Sequence, residues 1–239
     1  MVEEFLLNDV DDLRDAAQSI HRLVVDPKEF EDARKPGRWR EFRSEPEQLL
    51  AAFPSLTLRL GYELRAFVYR DFWGGHGRVL ARHNGAEFPD PEDAEVEAER
   101  DASQAEGFME SIAGDGSARS YLEASVFARE AEALGSFWHG LSWRSQTVLG
   151  GVDPWSPSSS DQALSAEDQW AWVLDRPETF NPTVTHLLGG GSTVVRFFSH
   201  DPLGMERIYA NVDLYAGSES LSPTNHRAPM AIGPGGFIP

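Results

Sequence analysis

Leu56-Thr57-Leu58-Arg59-Leu60-Gly61-Tyr62-Glu63-Leu64-Arg65-Ala66-Phe67-Val68-Tyr69-Arg70 is the stretch that decides the fold. Leu58, Leu60, Tyr62, Leu64, Ala66 and Val68 alternate with Arg59, Glu63 and Arg65. A period of two sends successive side chains to opposite faces of an extended chain, so the stretch reads as one long half-buried strand. Asp71-Phe72-Trp73-Gly74-Gly75-His76-Gly77 follows as a glycine-rich loop, and Arg78–His83 returns as the partner strand. Asn84-Gly85 suits a type I′ turn because both residues tolerate positive φ, which places a short third strand at Ala86–Phe88.

A second pair lies far along the chain. Thr193–His200 and Met205–Tyr215 also alternate, and Asp201-Pro202-Leu203-Gly204 supplies the turn between them. The intervening sequence is helical in pattern. Val10, Leu13, Ala16, Ala17, Ile20, Leu23 and Val24 form one stripe over Asn8–Val24, and Asp26-Pro27 opens a second, short helix. Ser44 and Glu47 make a capping box for a helix through Leu49, Leu50 and Phe53 that Pro54 ends. An acidic helix runs from Asp90-Pro91 towards Ile112. Ala124, Phe127, Ala128, Ala131, Leu134 and Trp138 define the next, and Ser165 caps a short one with Trp170, Val173 and Leu174 inward. The order helices, hairpin, helices, hairpin predicts an α+β fold. Its mainly antiparallel sheet is built from the two hairpins, about residues 57–83 and 193–215, joined in one sheet and packed with several helices. Residues 1–215 read as a single α+β domain. Residues 216–239, rich in Gly, Pro and Ser without periodicity, read as an irregular tail.

Charge narrows the partners. The chain carries 39 acidic residues against 21 basic ones, a net charge of −18, and only Lys28 and Lys35 among the bases are lysines. Such a surface repels nucleic-acid phosphates and anionic lipid headgroups and favours a cationic partner. The expectation is therefore a basic protein as partner, with no nucleic acid and no membrane. Acidity also has a second source, adaptation to a salt-rich host, and the sequence leaves both open. Arginine in place of lysine, with abundant Ala and Gly, fits a GC-rich prokaryotic genome. Cysteine is absent, which excludes disulfides, Cys-ligated zinc, iron–sulfur clusters and thiol nucleophiles, and fits a cytoplasmic location. The acidic start Met1-Val2-Glu3-Glu4 is unlike a signal peptide, and no run nears the roughly 20 apolar residues of a membrane span.

Three groups of residues carry candidate chemistry. Arg34–Arg43 is a basic, Trp-containing run that can fork onto a phosphate or carboxylate; it can equally pair with the acidic stretch Glu92–Glu110 of the same chain. The loop from Asp71 to Arg78 offers Asp71 as acid, Trp73 as platform, His76 as proton carrier and Arg78 as cation, on glycines that let backbone N–H groups converge. Those same glycines serve equally well as plain turn geometry. His200 sits beside Asp201 at the other hairpin tip, where the Asp side chain also suits an ordinary Asx-turn. Asp71, Trp73, His76, Arg78 and His200 are the candidate ligand-binding set; no metal site or cofactor is expected, and no catalytic residue is assigned.

The missing motifs restrict function further. There is no Gly-x-Ser-x-Gly elbow, no P-loop and no His-Glu-x-x-His, and Gly114-Asp115-Gly116 lacks the third glycine of a dinucleotide fingerprint. The reading that best fits is a non-catalytic binding domain for a basic protein partner, of inhibitor or immunity type. The alternative is a small-molecule enzyme that uses the 71–78 loop with His200.

Overall fold

A computed structural model describes residues 1–23, 39–41, 47–70, 74–87, 107–138, 143, 145–151, 169–187, 191–217 and 221–235. In chain order the first strands are β1 (Val2–Glu4), β2 (Arg40–Glu41), β3 (Leu56–Leu58), β4 (Tyr62–Arg70), β5 (Gly74–His83), β6 (Ile112–Gly114) and β7 (Phe137–Trp138). The remainder are β8 (Thr147–Val148), β9 (Ala171–Trp172), β10 (Thr183–His186), β11 (Thr193–Asp201), β12 (Met205–Tyr215) and β13 (Thr224–Gly235). The α-helices are α1 (Leu7–Leu23), α2 (Glu47–Ala51) and α3 (Ala118–Glu132), with a 3-10 turn at Gly107–Ser111.

The chain divides into two compact units, one of residues 1–14, 145–216 and 223–239, the other of residues 15–144 and 217–222. The boundary falls inside α1, between Arg14 and Asp15. The first unit is a curled antiparallel sheet, a half-barrel, in the order β1-β10-β11-β12-β13-β9, with β8 pairing alongside β11. Trp170, Phe180, Phe198, Ile208, Met230 and Ala231 form one buried cluster with Leu149. Phe180 stands edge-on to Phe198 at 5.4 Å, the arrangement the ring quadrupoles favour.

The second unit holds a four-stranded sheet, β2-β4-β5-β7, and the short pair β3-β6. Its core gathers Phe53, Phe108 and Phe127 edge-to-face at 5.4 and 6.0 Å. Helix α3 starts where Ser117 accepts the Ser120 N–H, and Asp115 in turn accepts the Ser117 N–H and hydroxyl, satisfying donors that a helix start leaves open. The Ser117 hydroxyl bond also holds the Asp115 carboxyl below the usual range.

This architecture corrects the α+β expectation. Of the described residues, 44% lie in strands and 25% in helices, so the fold is mostly antiparallel β. Both hairpins form, β4 with β5 and β11 with β12, but they belong to different sheets, not one. The long strand expected from Leu56 is two strands. Gly61 takes φ +87° between them, and the first piece, β3, pairs with β6 instead of joining the hairpin. Residues 171–172 are a strand against β13, not part of a helix, and Val173 and Leu174 face solvent. Residues 224–235, within the expected irregular tail, form the twelve-residue strand β13 along β12. Ala86 and Glu87 make no strand. The expected helix at 26–33 and the start of the acidic helix at 90–106 lie outside the described residues.

Candidate functional site

The glycine-rich segment is a strand for most of its length. Gly75, His76, Gly77 and Arg78 lie in β5, opposite Arg70, Tyr69, Val68 and Phe67. Asp71 and Trp73 lie outside the described residues. The expected ligand cradle at Gly77 has another explanation. A Cβ there would collide with the backbone carbonyl of Leu134, just beyond α3, so the glycine permits close packing of strand against helix end.

His76 and Arg78 do come together, around a residue outside the candidate set. His76 faces Tyr69 across the strand pair, ring centroids 5.1 Å apart, and Trp39 packs on both, edge-on to His76 at 5.0 Å and tilted at 5.6 Å to Tyr69. The Arg78 guanidinium lies 5.9 Å from the Trp39 ring, at the outer limit of a cation–π contact. Trp39 reaches this place because it immediately precedes β2, whose Arg40 pairs with Val68. Beside β5 a hollow of about 240 Å³ is lined by His76, Arg78, Leu80, Phe108, Ala131 and Glu132. Small-molecule sites usually span roughly 300–1,000 Å³, so this hollow is below that range. A larger one, about 400 Å³ beside Phe53 and Leu56, carries no ionisable side chain.

His200 belongs to the other unit, and the structure does not place it with the β5 residues as one site. It lies within β11, 3% exposed, not at an open hairpin tip. Its Nε2 bonds the Glu206 carboxylate at 3.1 Å and its ring meets Trp170 edge-on at 5.9 Å. Burial pushes the imidazole below its ordinary value, against the opposing pull of Glu206 and Asp201. A histidine so enclosed packs within the sheet. Asp201 behaves as an ordinary turn entry: its carboxylate accepts the Leu203 N–H at 3.1 Å.

Sequence reasoning missed three buried charges on α3. Glu123 accepts the Ser55 N–H and the Arg119 guanidinium at 2.8 and 2.7 Å. Glu130 accepts the Trp143 indole N–H at 2.8 Å, and Arg129 donates to the Ser125 carbonyl while lying 5.4 Å from the same indole. Each is consumed in holding the fold. A signal existed in Glu123 and Glu130, seven residues apart and thus on one helix face, inside an otherwise apolar stripe. Glu206 was legible too, since the hairpin register sets it two residues from Ile208, the partner of His200.

The pairing of Arg34–Arg43 with Glu92–Glu110 lies almost wholly outside the described residues; Glu41, inside them, pairs instead with Arg65 at 3.2 Å. Among the described residues no three His, Asp or Glu side chains gather as a metal would need, and no helix is long and apolar enough to cross a membrane. The chain matches no protein-family model, no curated protein and no solved structure.

Proposed function

We propose that the protein is a non-catalytic binding domain whose partner is a basic protein. The observation that supports this reading is the acidic surplus of −18, with several of the acids exposed among the described residues. Several arginines already have partners within the chain: Arg14 bonds Asp11 and the Val148 carbonyl, Arg82 bonds Glu63, and Arg119 bonds Glu123. Arg129 is buried, and the exposed Arg227 guanidinium lies 3.5 Å from the centre of the Tyr209 ring. Glu123, Glu130, Glu206 and Asp213 are buried, whereas Glu3, Glu4, Asp12, Glu87, Glu110, Asp175 and Glu178 are exposed. An acidic surplus of this size steers a cationic partner in and rejects anionic ones. Neutralising a basic enzyme or toxin, as an inhibitor or immunity protein does, is a role such a surface suits. The enzyme alternative has less behind it, because the hollow at His76 is small and His200 is enclosed.

The test has two stages. Immobilised protein is used to capture a partner from lysate, and the binary complex is then rebuilt from purified components and titrated across salt. A partner of high pI whose affinity falls steeply with salt is the expected result. A partner without net positive charge, or an affinity indifferent to salt, would overturn the reading.

A further inference from the structure

We propose that the outer edge of β1 is a docking strand that takes an extended basic segment of the partner by strand addition. The inference rests on the basic-partner reading above and names the surface that would serve it. β1 is the last strand on its side of the seven-stranded sheet and pairs with β10 alone among the described strands. Its ladder has a defined phase. The His186 N–H bonds the Met1 carbonyl and the Phe5 N–H bonds the Pro182 carbonyl, both at 2.9 Å. In an antiparallel pair such residues alternate with ones whose backbone groups point away. Met1, Glu3 and Phe5 therefore face β10, while the N–H and C=O of Val2 and Glu4 face outward. The strand is also uncovered: Val2 is 64% exposed, Glu3 and Glu4 are exposed, and Leu6 just beyond is 64% exposed.

The chemistry of this edge selects its occupant. Glu3 and Glu4 project to opposite faces, so the edge carries a carboxylate on either side of the sheet; that of Glu4 also accepts the Asn181 amide at 2.7 Å, and that of Glu3 is the one an added strand meets first. Asp9 and Asp12, in the first turns of α1, extend the acidic surface. A Lys- or Arg-bearing strand gains cross-strand ion pairs there, and Val2 and Leu6 give its apolar residues something to cover. A second copy of this chain fits badly, because two such edges set glutamate against glutamate. The uncovered part of β13 is the wrong surface for a basic strand: it carries His226 and Arg227, and Pro229 has no N–H to donate. Strand addition draws affinity from the backbone and specificity from side chains, which suits an edge this short and this charged.

The probe is an acetylated eight-residue peptide alternating Val and Lys, with a Val–Glu peptide as control, followed by calorimetry and by amide exchange. The expected result is salt-sensitive binding of the Val–Lys peptide alone, with the Val2 and Glu4 amides gaining protection. Val2→Pro removes an outward donor without touching the bonds to β10, and should weaken binding about tenfold, the worth of roughly one hydrogen bond. Glu3→Lys leaves the backbone donors in place and should weaken the Val–Lys peptide while admitting the Val–Glu one. Melting curves establish that both variants fold. Binding that survives Val2→Pro and Glu3→Lys overturns strand addition yet still fits an acidic surface that attracts basic partners. No binding of the peptide overturns strand addition as well, and the capture experiment then judges the broader reading independently.

Discussion

Hairpin β4–β5 and hairpin β11–β12 look alike in sequence, two alternating strands around a glycine-containing turn, yet they occupy opposite environments. In β4–β5 one face is inward, with Leu64, Ala66 and Val79 buried, and the other carries Glu63 against Arg82 and Tyr69 against His76. In β11–β12 both faces are covered: Phe197, Phe198, Ser199 and His200 are consecutive and all buried. The polar groups caught there need partners. The Ser199 hydroxyl donates to Gln146, and the Asn211 amide donates to Ser199, both at 2.9 Å. Alternation reports that a segment is a strand; an unbroken buried run within it reports that both sides are packed. Val194-Val195 and Phe197-Phe198 were that second signal.

The comparison can be broken most directly at the phenylalanines. Phe197→Ala empties a fully buried site and should cost about 3–5 kcal/mol, whereas Phe67→Ala, on the half-buried outward face of β4, should cost only about 1 kcal/mol. Denaturant titration of both variants decides it, and equal losses would mean that β4 is as enclosed as β11.

A smaller effect separates the hairpins by pH. Because burial lowers the His200 value below its ordinary 6.5, the unfolded chain binds the extra proton first. The stability tied to neutral His200 is complete above that value and is lost as pH falls through it towards the lowered folded value. Melting midpoints should therefore fall across this window in the wild type and fall less in His200→Gln. A parallel decline in the two proteins would show that the slope belongs to other groups.

The smallest effect is expected at the outward charges of β4–β5. Glu63 is held below the usual carboxylate range chiefly by its bond to Arg82, but both side chains meet solvent. Arg82→Ala should lower the melting midpoint slightly in dilute buffer and not at all in high salt. A large drop that survives salt would place this face under cover.

Long, strongly periodic elements were legible in the sequence: α1, the short α2 before Pro54, the body of α3 and both strand pairs form, although β5 begins at Gly74 inside the expected loop and Trp138, expected on the helix stripe, lies in β7. What escaped was signalled by something other than period. The break at Gly61 depends on one left-handed residue inside an otherwise perfect alternation. β13 hides because Thr224 to Pro229 are exposed on both faces, so no alternation is selected there. β1, β8 and β9 span three residues or fewer, too short for any period to register. The assignment of the two hairpins to separate sheets is a matter of long-range pairing, which no local window carries. Of the candidate residues, His76 and Arg78 stand on one face of β5, and their common neighbour Trp39 lies thirty-seven residues before His76, inside the basic run. His200 was taken for a tip residue because its burial depends on Trp170 and Glu206, contributed by other strands and turns.

The absence of a side chain at Gly77 works as a register key. If β5 slid by one residue against the end of α3, the Cβ of His76 or Arg78 would enter the space that the Leu134 carbonyl occupies. A slide of two in one direction would bring Val79 there with the same result; the slides that present Gly75 or Gly74 escape. Alternative strand pairings, which a repeating pattern of Arg, Tyr and Gly would otherwise tolerate, are thereby rejected by sterics during folding, before any hydrogen-bond count can favour them. A single missing methyl thus edits the set of structures this sheet can reach.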